Sequence, residues 1–187
     1  MITAIAIRNM VCHHCMAAVR RCFEQAGISV MSISLGEVTV NASTLTPEGL
    51  CALDKALIAE GFERLENSED ALVERIKAAV IHHVRQEDEC RLNMSACLER
   101  HLAMPYESLS RAFTAREGRT IEKYHIAQRV EWVKELMSYK ELTLGEIAFR
   151  TGYSSTAHLS RQFKAVTGLT PSQYMQLPPS RKSLCQV

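Results

Sequence analysis

The sequence has no apolar run that approaches the ~20 residues needed for a membrane-spanning helix. Its first residues offer neither a basic lead-in nor a long apolar core, so no secretory signal peptide is expected. Seven cysteines are an odd number, which does not fit the paired framework of a small secreted domain. These absences predict a cytoplasmic protein, without a membrane partner, whose thiols stay reduced.

The short motifs of enzyme chemistry are also absent from the sequence. It has no glycine-rich loop that would cradle phosphate, no HExxH zinc motif and no paired acid and base in a motif context. We therefore expect a protein that is not an enzyme and has no catalytic residues.

Net charge is only +1, but the charges are unevenly distributed. Residues 1–67 carry 5 basic and 7 acidic side chains, whereas residues 105–182 carry 12 basic and 7 acidic ones. A basic second part is compatible with a nucleic-acid partner, although charge alone does not establish one.

The second part contains an internal repeat. Residues 108–124, SLSRAFTAREGRTIEKY, and residues 158–174, HLSRQFKAVTGLTPSQY, are identical at eight of seventeen positions. Each copy reads as a helix, a glycine stop and a new helix capped by threonine. Between the copies, residues 120–138 have apolar positions at helical spacing and predict one long connecting helix.

The segment before the second copy predicts a helix-turn-helix unit. Thr143 and Glu146 fit a capping box, and Gly152 fits the tight turn after that helix. The first copy has Leu102 where the second has Gly152, so its turn must be built differently. A structural array of the TPR or HEAT type is the alternative, but such arrays usually need three or more copies.

Residues 142–174 closely resemble the second half of an AraC-type DNA-binding domain. The motif IAxxxGYxSxxHxSRxFKxxxGxTPxxY is matched almost throughout, and the wider resemblance covers about residues 70–177. The resemblance implies an all-α, seven-helix domain with two helix-turn-helix units that binds double-stranded DNA as a transcription regulator. It allows RNA polymerase as a further partner. Because one chain carries both units, a monomer and a dimer are both compatible with it.

The resemblance also implies which positions face the DNA groove. These are Glu107, Ser110 and Arg111 in the first unit, and Thr156, Ala157, Ser160 and Arg161 in the second. Glu107 is acidic: a carboxylate accepts from cytosine but repels phosphate, so direct contact at Glu107 is the doubtful member of the set.

The first 67 residues predict a different, α+β fold. Alternating apolar residues, turn signals and helix caps give the order βαββαβ, which is that of a ferredoxin-like sandwich. The predicted elements are strand 2–8, helix 13–27, two strands within 28–41, a helix from Thr46-Pro47 to Gly61, and strand 62–66.

A CxxC motif lies between the first predicted strand and the first helix. Cys12 and Cys15 stand at the start of the helix, where the helix dipole favours thiolates. Two thiolates at this spacing suit a soft ion such as Cu(I) or Hg(II) in near-linear geometry. Zn(II) prefers four ligands, and His13 or His14 are candidates to extend the set.

This stretch resembles the loop GMTCxxC of heavy-metal-associated domains in copper chaperones and metal-pumping ATPases. Met10, Cys12 and Cys15 match that pattern, whereas Asn9 replaces Gly and Val11 replaces Thr. The resemblance covers residues 1–66. It implies metal binding by the two cysteines, Cu(I) foremost, with Met10 packed beneath the loop.

These observations predict a heavy-metal-associated-like domain at 1–67, a double helix-turn-helix domain at 68–178 and a tail at 179–187. The favoured interpretation is a transcription regulator that responds to a soft metal ion. The alternative is a DNA-binding regulator whose front domain is a thiol-redox or protein-interaction module without any cofactor. A third interpretation is a metallochaperone-like protein. A thioredoxin-like enzyme is disfavoured because the first proline, Pro47, stands at a helix start and no cis-proline candidate is evident.

Overall fold

The computed structural model describes residues 2–85 and 93–176. Their contacts cluster into two compact units: residues 2–83 with 93–119, and residues 84–85 with 120–176. The tail predicted at 179–187 lies outside the described residues. Among those that are described, no helix is both long and apolar enough to cross a membrane.

The first unit begins with a four-stranded antiparallel sheet in the order β2-β3-β1-β4. The predicted succession of strand, helix, strand, strand, helix and strand is present. The elements are β1 Ile2–Arg8, α1 His13–Gln25, β2 Val30–Ser34, β3 Glu37–Asn41, α2 Pro47–Ala59 and β4 Glu63–Leu65.

One face of this sheet and helices α1 and α2 share a hydrophobic core. Side chains alternate along a strand, so Ile5 and Ile7 on β1 and Val38 and Val40 on β3 all contribute to this core. Phe23 on α1 is completely buried with them. Each such side chain contributes roughly 1.5–3 kcal/mol through burial, which is why this alternation determines the register.

Helix α3, Ser68–Arg85, is buried on more than one side. Val73, Glu74, Ile76 and Val80 are all buried. In the first unit α3 contacts two partners: Arg75 packs against Gly36 in the β2–β3 turn, and Lys77 contacts the end of the later helix α5. A helix packed on several sides has few exposed positions left.

Seven helices, α3 to α9, follow the sheet in the described residues. The first unit contains α4 Met94–Leu102 and α5 Tyr106–Glu117. The second contains α6 Ile121–Tyr139, α7 Leu144–Arg150, α8 Thr156–Thr167 and α9 Pro171–Met175. The predicted long helix is therefore confirmed as α6, which is ~28 Å long at 1.5 Å per residue.

The predicted caps of the repeat are confirmed. Thr120 and Thr170 accept hydrogen bonds from backbone N–H groups at the start of α6 and α9. Gly118 and Gly168 end α5 and α8 with φ values of 66° and 79°. Such left-handed positions favour glycine because it has no Cβ, so the duplicated glycines define the length of both helices.

Candidate DNA-binding helices and cysteine loop

The second helix-turn-helix unit consists of α7, a short turn and α8. The capping box predicted at Thr143 and Glu146 is present, with bonds in both directions. Gly152 takes a φ of 70° in the turn, and the side chain of Ser155 caps α8. Phe163 packs in the core formed with α6, so α8 is held by its inner face.

Arg129 on α6 stabilises the turn of this second helix-turn-helix unit. Its Nε and Nη2 atoms donate to the carbonyl oxygen of Thr151 at 3.0 and 2.8 Å. The guanidinium group lies 4.0 Å from the ring centre of Tyr153. Burial lowers the pKa of Arg129 and raises the pKa of Tyr153. The role of Arg129 is not predictable from the sequence, because no local pattern connects a polar residue on α6 with a turn 22 residues later.

The first helix-turn-helix unit has the differently built turn that the sequence predicts. Helix α4 ends at Leu102, and the left-handed conformation falls on Ala103, with a φ of 52°. Pro105 then leads into α5, whose backbone at Tyr106 donates to Glu99 at 2.7 Å. The left-handed residue is therefore displaced by one position relative to Gly152 in the second unit.

The predicted DNA-contacting residues lie on the outer faces of α5 and α8. On α5, Glu107 and Arg111 are exposed and Ser110 is half-buried. On α8, the exposed residues are Thr156, Ala157 and Arg161, and Ser160 is half-buried. On α5, Arg111 Nη2 donates to Glu107 Oε1 at 3.0 Å. The two helices thus present equivalent positions with different charge.

The cysteine loop connects β1 with α1. Cys12 is the N-cap of α1, and its Sγ accepts from the backbone N–H of Cys15 at 3.4 Å. The two Sγ atoms are 3.1 Å apart, and both side chains are half-buried. Met10 is buried among the core residues, as predicted. The loop therefore brings the two thiols together at the start of the helix.

Asn9 shapes the beginning of this loop. It has a φ of 69°, in the left-handed region, where asparagine is tolerated better than most residues with a Cβ. Its side-chain Nδ2 donates to the carbonyl oxygen of Gly61 at 3.0 Å. The replacement of glycine by asparagine at this position is thus accommodated by conformation and by a hydrogen bond.

The thiol of Cys15 is harder to ionise than its position at a helix start predicts. Burial raises its pKa above the ordinary value of 9.0, and the hydrogen bond with Cys12 raises it further. These effects outweigh the backbone hydrogen bonds that lower the pKa. Burial thus opposes the effect expected from the start of the helix, and the pKa of Cys15 is raised overall.

The raised pKa predicts slow alkylation of Cys15 at neutral pH. With limiting iodoacetamide at pH 7.5, Cys15 should react more slowly than exposed Cys51, and its rate should still rise above pH 9, since only the thiolate reacts. Tandem mass spectrometry of the metal-free, reduced protein would measure each site. Equal rates at Cys15 and Cys51 near neutral pH would mean that the helix dipole prevails.

The candidate donors at the loop are the two cysteines and the neighbouring His13 and His14. No group of three or more His, Cys, Asp or Glu side chains able to hold a metal occurs within residues 2–85 and 93–176. His13 and His14 are exposed and do not complete a four-ligand site with the two cysteines. Two thiols alone suit a low-coordinate soft ion.

A chain of polar contacts leads from the cysteine loop to α5 within the first unit. The backbone N–H of Asn9 donates to Glu74 Oε2 at 3.3 Å. Lys77 Nζ lies 3.0 Å from Glu74 Oε1 and 2.7 Å from Glu117 Oε1, at the end of α5. Burial works to lower the pKa of Lys77, but hydrogen bonds to Glu117 and Glu74 raise it overall. The Lys77 ammonium group thus joins two carboxylates from different helices.

A second contact between α3 and α5 supports the same connection. Arg116 Nη2 on α5 donates to Asp70 Oδ2 on α3 at 2.9 Å. Two ion pairs therefore attach the C-terminal end of α5 to the helix that also contacts the cysteine loop.

The paired helices and their turns define a class of protein: α4–α5 and α7–α8 have the arrangement of helix-turn-helix DNA-binding proteins. A family model described as a helix-turn-helix domain matches residues 98–177. Residues 98–177 are therefore similar to the helix-turn-helix domains of transcriptional regulators.

Individual relatives agree with this assignment of the helical part. The HTH-type transcriptional regulator RipA of Corynebacterium diphtheriae is 32% identical over 79 residues, which is 42% of this chain and 23% of that relative. An uncharacterised HTH-type transcriptional regulator of Staphylococcus aureus is 32% identical over 41% of this chain and 10% of its own length. The chain thus spans about a quarter or less of these relatives.

A solved structure shows the same helical fold. The C-terminal domain of AraT, a response regulator from Geobacillus stearothermophilus, superposes with a TM-score of 0.51 at 26% identity. The match covers 63% of this chain and 92% of that structure.

Proposed function

We propose that this protein is a cytoplasmic, sequence-specific DNA-binding regulator of transcription that responds to a soft metal ion held by Cys12 and Cys15, Cu(I) foremost. The four-stranded sheet with α1 and α2 is interpreted as a ferredoxin-like, heavy-metal-associated-type domain. The observation that carries the proposal is the chain of contacts from Asn9 through Glu74 and Lys77 to Glu117, because it joins the cysteine loop to α5.

The DNA-binding half of the proposal is supported by the helix-turn-helix match and by the exposed faces of α5 and α8. Arg161 on α8 and Arg111 on α5 offer guanidinium groups, which hydrogen-bond phosphate and, bidentately, guanine. Thr156, Ser110 and Ser160 offer hydroxyls of the kind that position a protein on the duplex.

Metal binding would act on the loop through the separation of its sulfur atoms. Cys12 and Cys15, whose Sγ atoms are 3.1 Å apart without an ion, would hold it, and a bound ion would change that separation. The route by which a change in the loop would reach α5 is the Asn9 N–H bond to Glu74, because Glu74 shares Lys77 with Glu117. A response follows if the ion binds one DNA-competence state more tightly than the other.

A thiol-redox module is the second candidate, because the short sulfur separation also favours it. A disulfide has an S–S bond of about 2.05 Å, and the thiols at 3.1 Å need to approach by only about 1 Å. Oxidation would remove two electrons and two protons from the pair, with a disulfide such as oxidised glutathione as the acceptor.

The test is an anaerobic titration of the reduced protein with Cu(I) against a competing chelator. Wild type is expected to bind one ion tightly, and the Cys12→Ser/Cys15→Ser variant to lose that binding, because both ligands are removed. Cys51→Ser, which changes an exposed cysteine on α2, is the matched control and should bind like wild type. Zn(II) and Hg(II) are titrated in parallel.

DNA affinity is then measured at fixed salt with and without the ion, on a site selected from random duplexes. Coupling of the usual size changes the affinity by roughly 5- to 150-fold in wild type and not in the double variant. Equally weak Cu(I) binding by wild type and double variant would contradict the metal proposal. An effect of oxidised glutathione that also requires both cysteines would then favour the redox module.

A further inference from the structure

We infer that the two helix-turn-helix units contribute unequally to DNA binding: α8 supplies most of the affinity, and Glu107 makes α5 a selector for cytosine. This inference rests on the proposed DNA-binding function and specifies what α5 and α8 each contribute to DNA binding. The observation behind it is a difference between equivalent positions of the repeat. Glu107 on α5 corresponds to Ala157 on α8, whereas Arg111 and Arg161 are the same residue type.

The charged side chains of α5 form ion pairs either with one another or with residues of α3. Arg111 is paired with Glu107 at 3.0 Å, although both side chains are strongly exposed, at 77% and 86%. The other basic residue on this helix, Arg116, is bound to Asp70 on α3, and Glu117 is bound to Lys77. Helix α5 therefore carries two basic and two acidic residues with a net charge of zero.

Helix α8 carries Arg161 and Lys164 and no acidic residue. Both basic side chains are on the exposed part of the helix. Each cation that neutralises a phosphate releases counterions, which is the main sequence-independent source of affinity. The second helix-turn-helix unit is therefore expected to contribute more electrostatic affinity. Within the described residues, no ion pair of Arg161 or Lys164 has to be broken before it binds.

Glu107 instead adds base selectivity to the first helix-turn-helix unit. A carboxylate repels phosphates, so its approach to DNA is unfavourable unless it finds a donor. In the major groove the N4 amino group of cytosine is such a donor, and Arg111, once released, can reach a guanine or a phosphate. With a wrong base at that position the carboxylate is left desolvated and without a hydrogen bond. Glu107 thus weakens binding to DNA of any sequence but makes the remaining binding selective for cytosine at one position.

The test exchanges the two equivalent positions and measures both affinity and base preference. Glu107→Ala gives α5 the residue of α8, and Ala157→Glu gives α8 the residue of α5. Both positions are exposed, so the variants should fold, which circular dichroism checks. Glu48→Ala, an exposed acidic residue on α2, is the control for a change in net charge. DNA affinity is measured from about 50 to 200 mM salt on the site selected by wild type and on random duplex.

For Glu107→Ala we expect at least tenfold tighter binding to random duplex and a salt dependence steeper by about one counterion, because Arg111 is released. Base selection should lose a cytosine preference at one position, and Glu107→Gln should shift that preference toward adenine. Ala157→Glu should weaken binding to the selected site by more than tenfold. Glu48→Ala should behave like wild type.

Two failures can be told apart. If wild type binds DNA with no sequence preference, the proposed regulatory function fails together with the inference. If wild type selects a defined site, but Glu107→Ala selects the same bases with the same salt dependence, only the inference is overturned. Equal losses for Arg111→Ala and Arg161→Ala on the selected site would also overturn it, because they would show equal contributions from both units.

Discussion

Replacing Lys77 with methionine should lower the free energy of unfolding of the first compact unit by about 2–4 kcal/mol. Lys77 is only 21% exposed and bridges Glu74 and Glu117. Methionine retains much of the length of the side chain but removes the charge. Glu74, which is 6% exposed, would then keep a nearly buried carboxylate with only the Asn9 N–H bond for compensation. A charge left buried without its partner is far more costly than the loss of an exposed ion pair.

The measurement is chemical denaturation followed by circular dichroism, with hydrogen exchange to locate the loss in α3 and α5. Lys55→Met on α2 makes the same chemical change at an exposed position and should stay within about 0.5 kcal/mol of wild type. If both variants lose equally little, Lys77 is not a structural bridge. The route from the cysteine loop to α5 would then have to follow other contacts.

Replacing Arg129 with lysine should lower the free energy of unfolding of the second compact unit by roughly 2–3 kcal/mol and weaken DNA binding at least tenfold. Arg129 donates two charge-assisted hydrogen bonds to Thr151 and stacks on Tyr153. Lysine keeps the charge but cannot make the two-pronged contact and the stacking together. The turn before α8 would loosen, and the orientation of α8 with it.

Trp132, the single tryptophan of the chain, lies on α6 and reports unfolding of this unit by fluorescence. Arg150→Lys, at the exposed end of α7, is the matched control and should change neither stability nor DNA binding appreciably. Arg129→Lys with wild-type stability and affinity would show that the turn is held by its own backbone.

Much of the fold and part of the candidate site were predictable because they depend on local chemistry. Threonine caps, left-handed glycines and apolar spacing gave the helices of the repeat, and Thr143, Gly118 and Gly168 adopt the predicted roles. The alternation of β1 and the position of Cys12 and Cys15 at the start of α1 were equally local. Whether those cysteines and the exposed residues of α5 and α8 bind their proposed ligands stays a prediction.

Contacts between residues far apart in the chain were not predictable in this way. Nothing near Glu74 indicates that Asn9 and Lys77 will meet its carboxylate, and nothing near Arg129 indicates a bond to Thr151. The pKa of Cys15 also depended on its surroundings, since burial raises it.

The sequence by itself thus determined the elements, their caps, the duplicated helix-turn-helix unit and the pairing of two thiols, because each depends on residues within one or two turns. Only the tertiary structure decided which charges are buried, which guanidinium group holds a turn and which helix receives contacts from the cysteine loop. Those properties depend on packing between distant segments, where burial changes the energy of a charge by several kcal/mol and no local pattern records it.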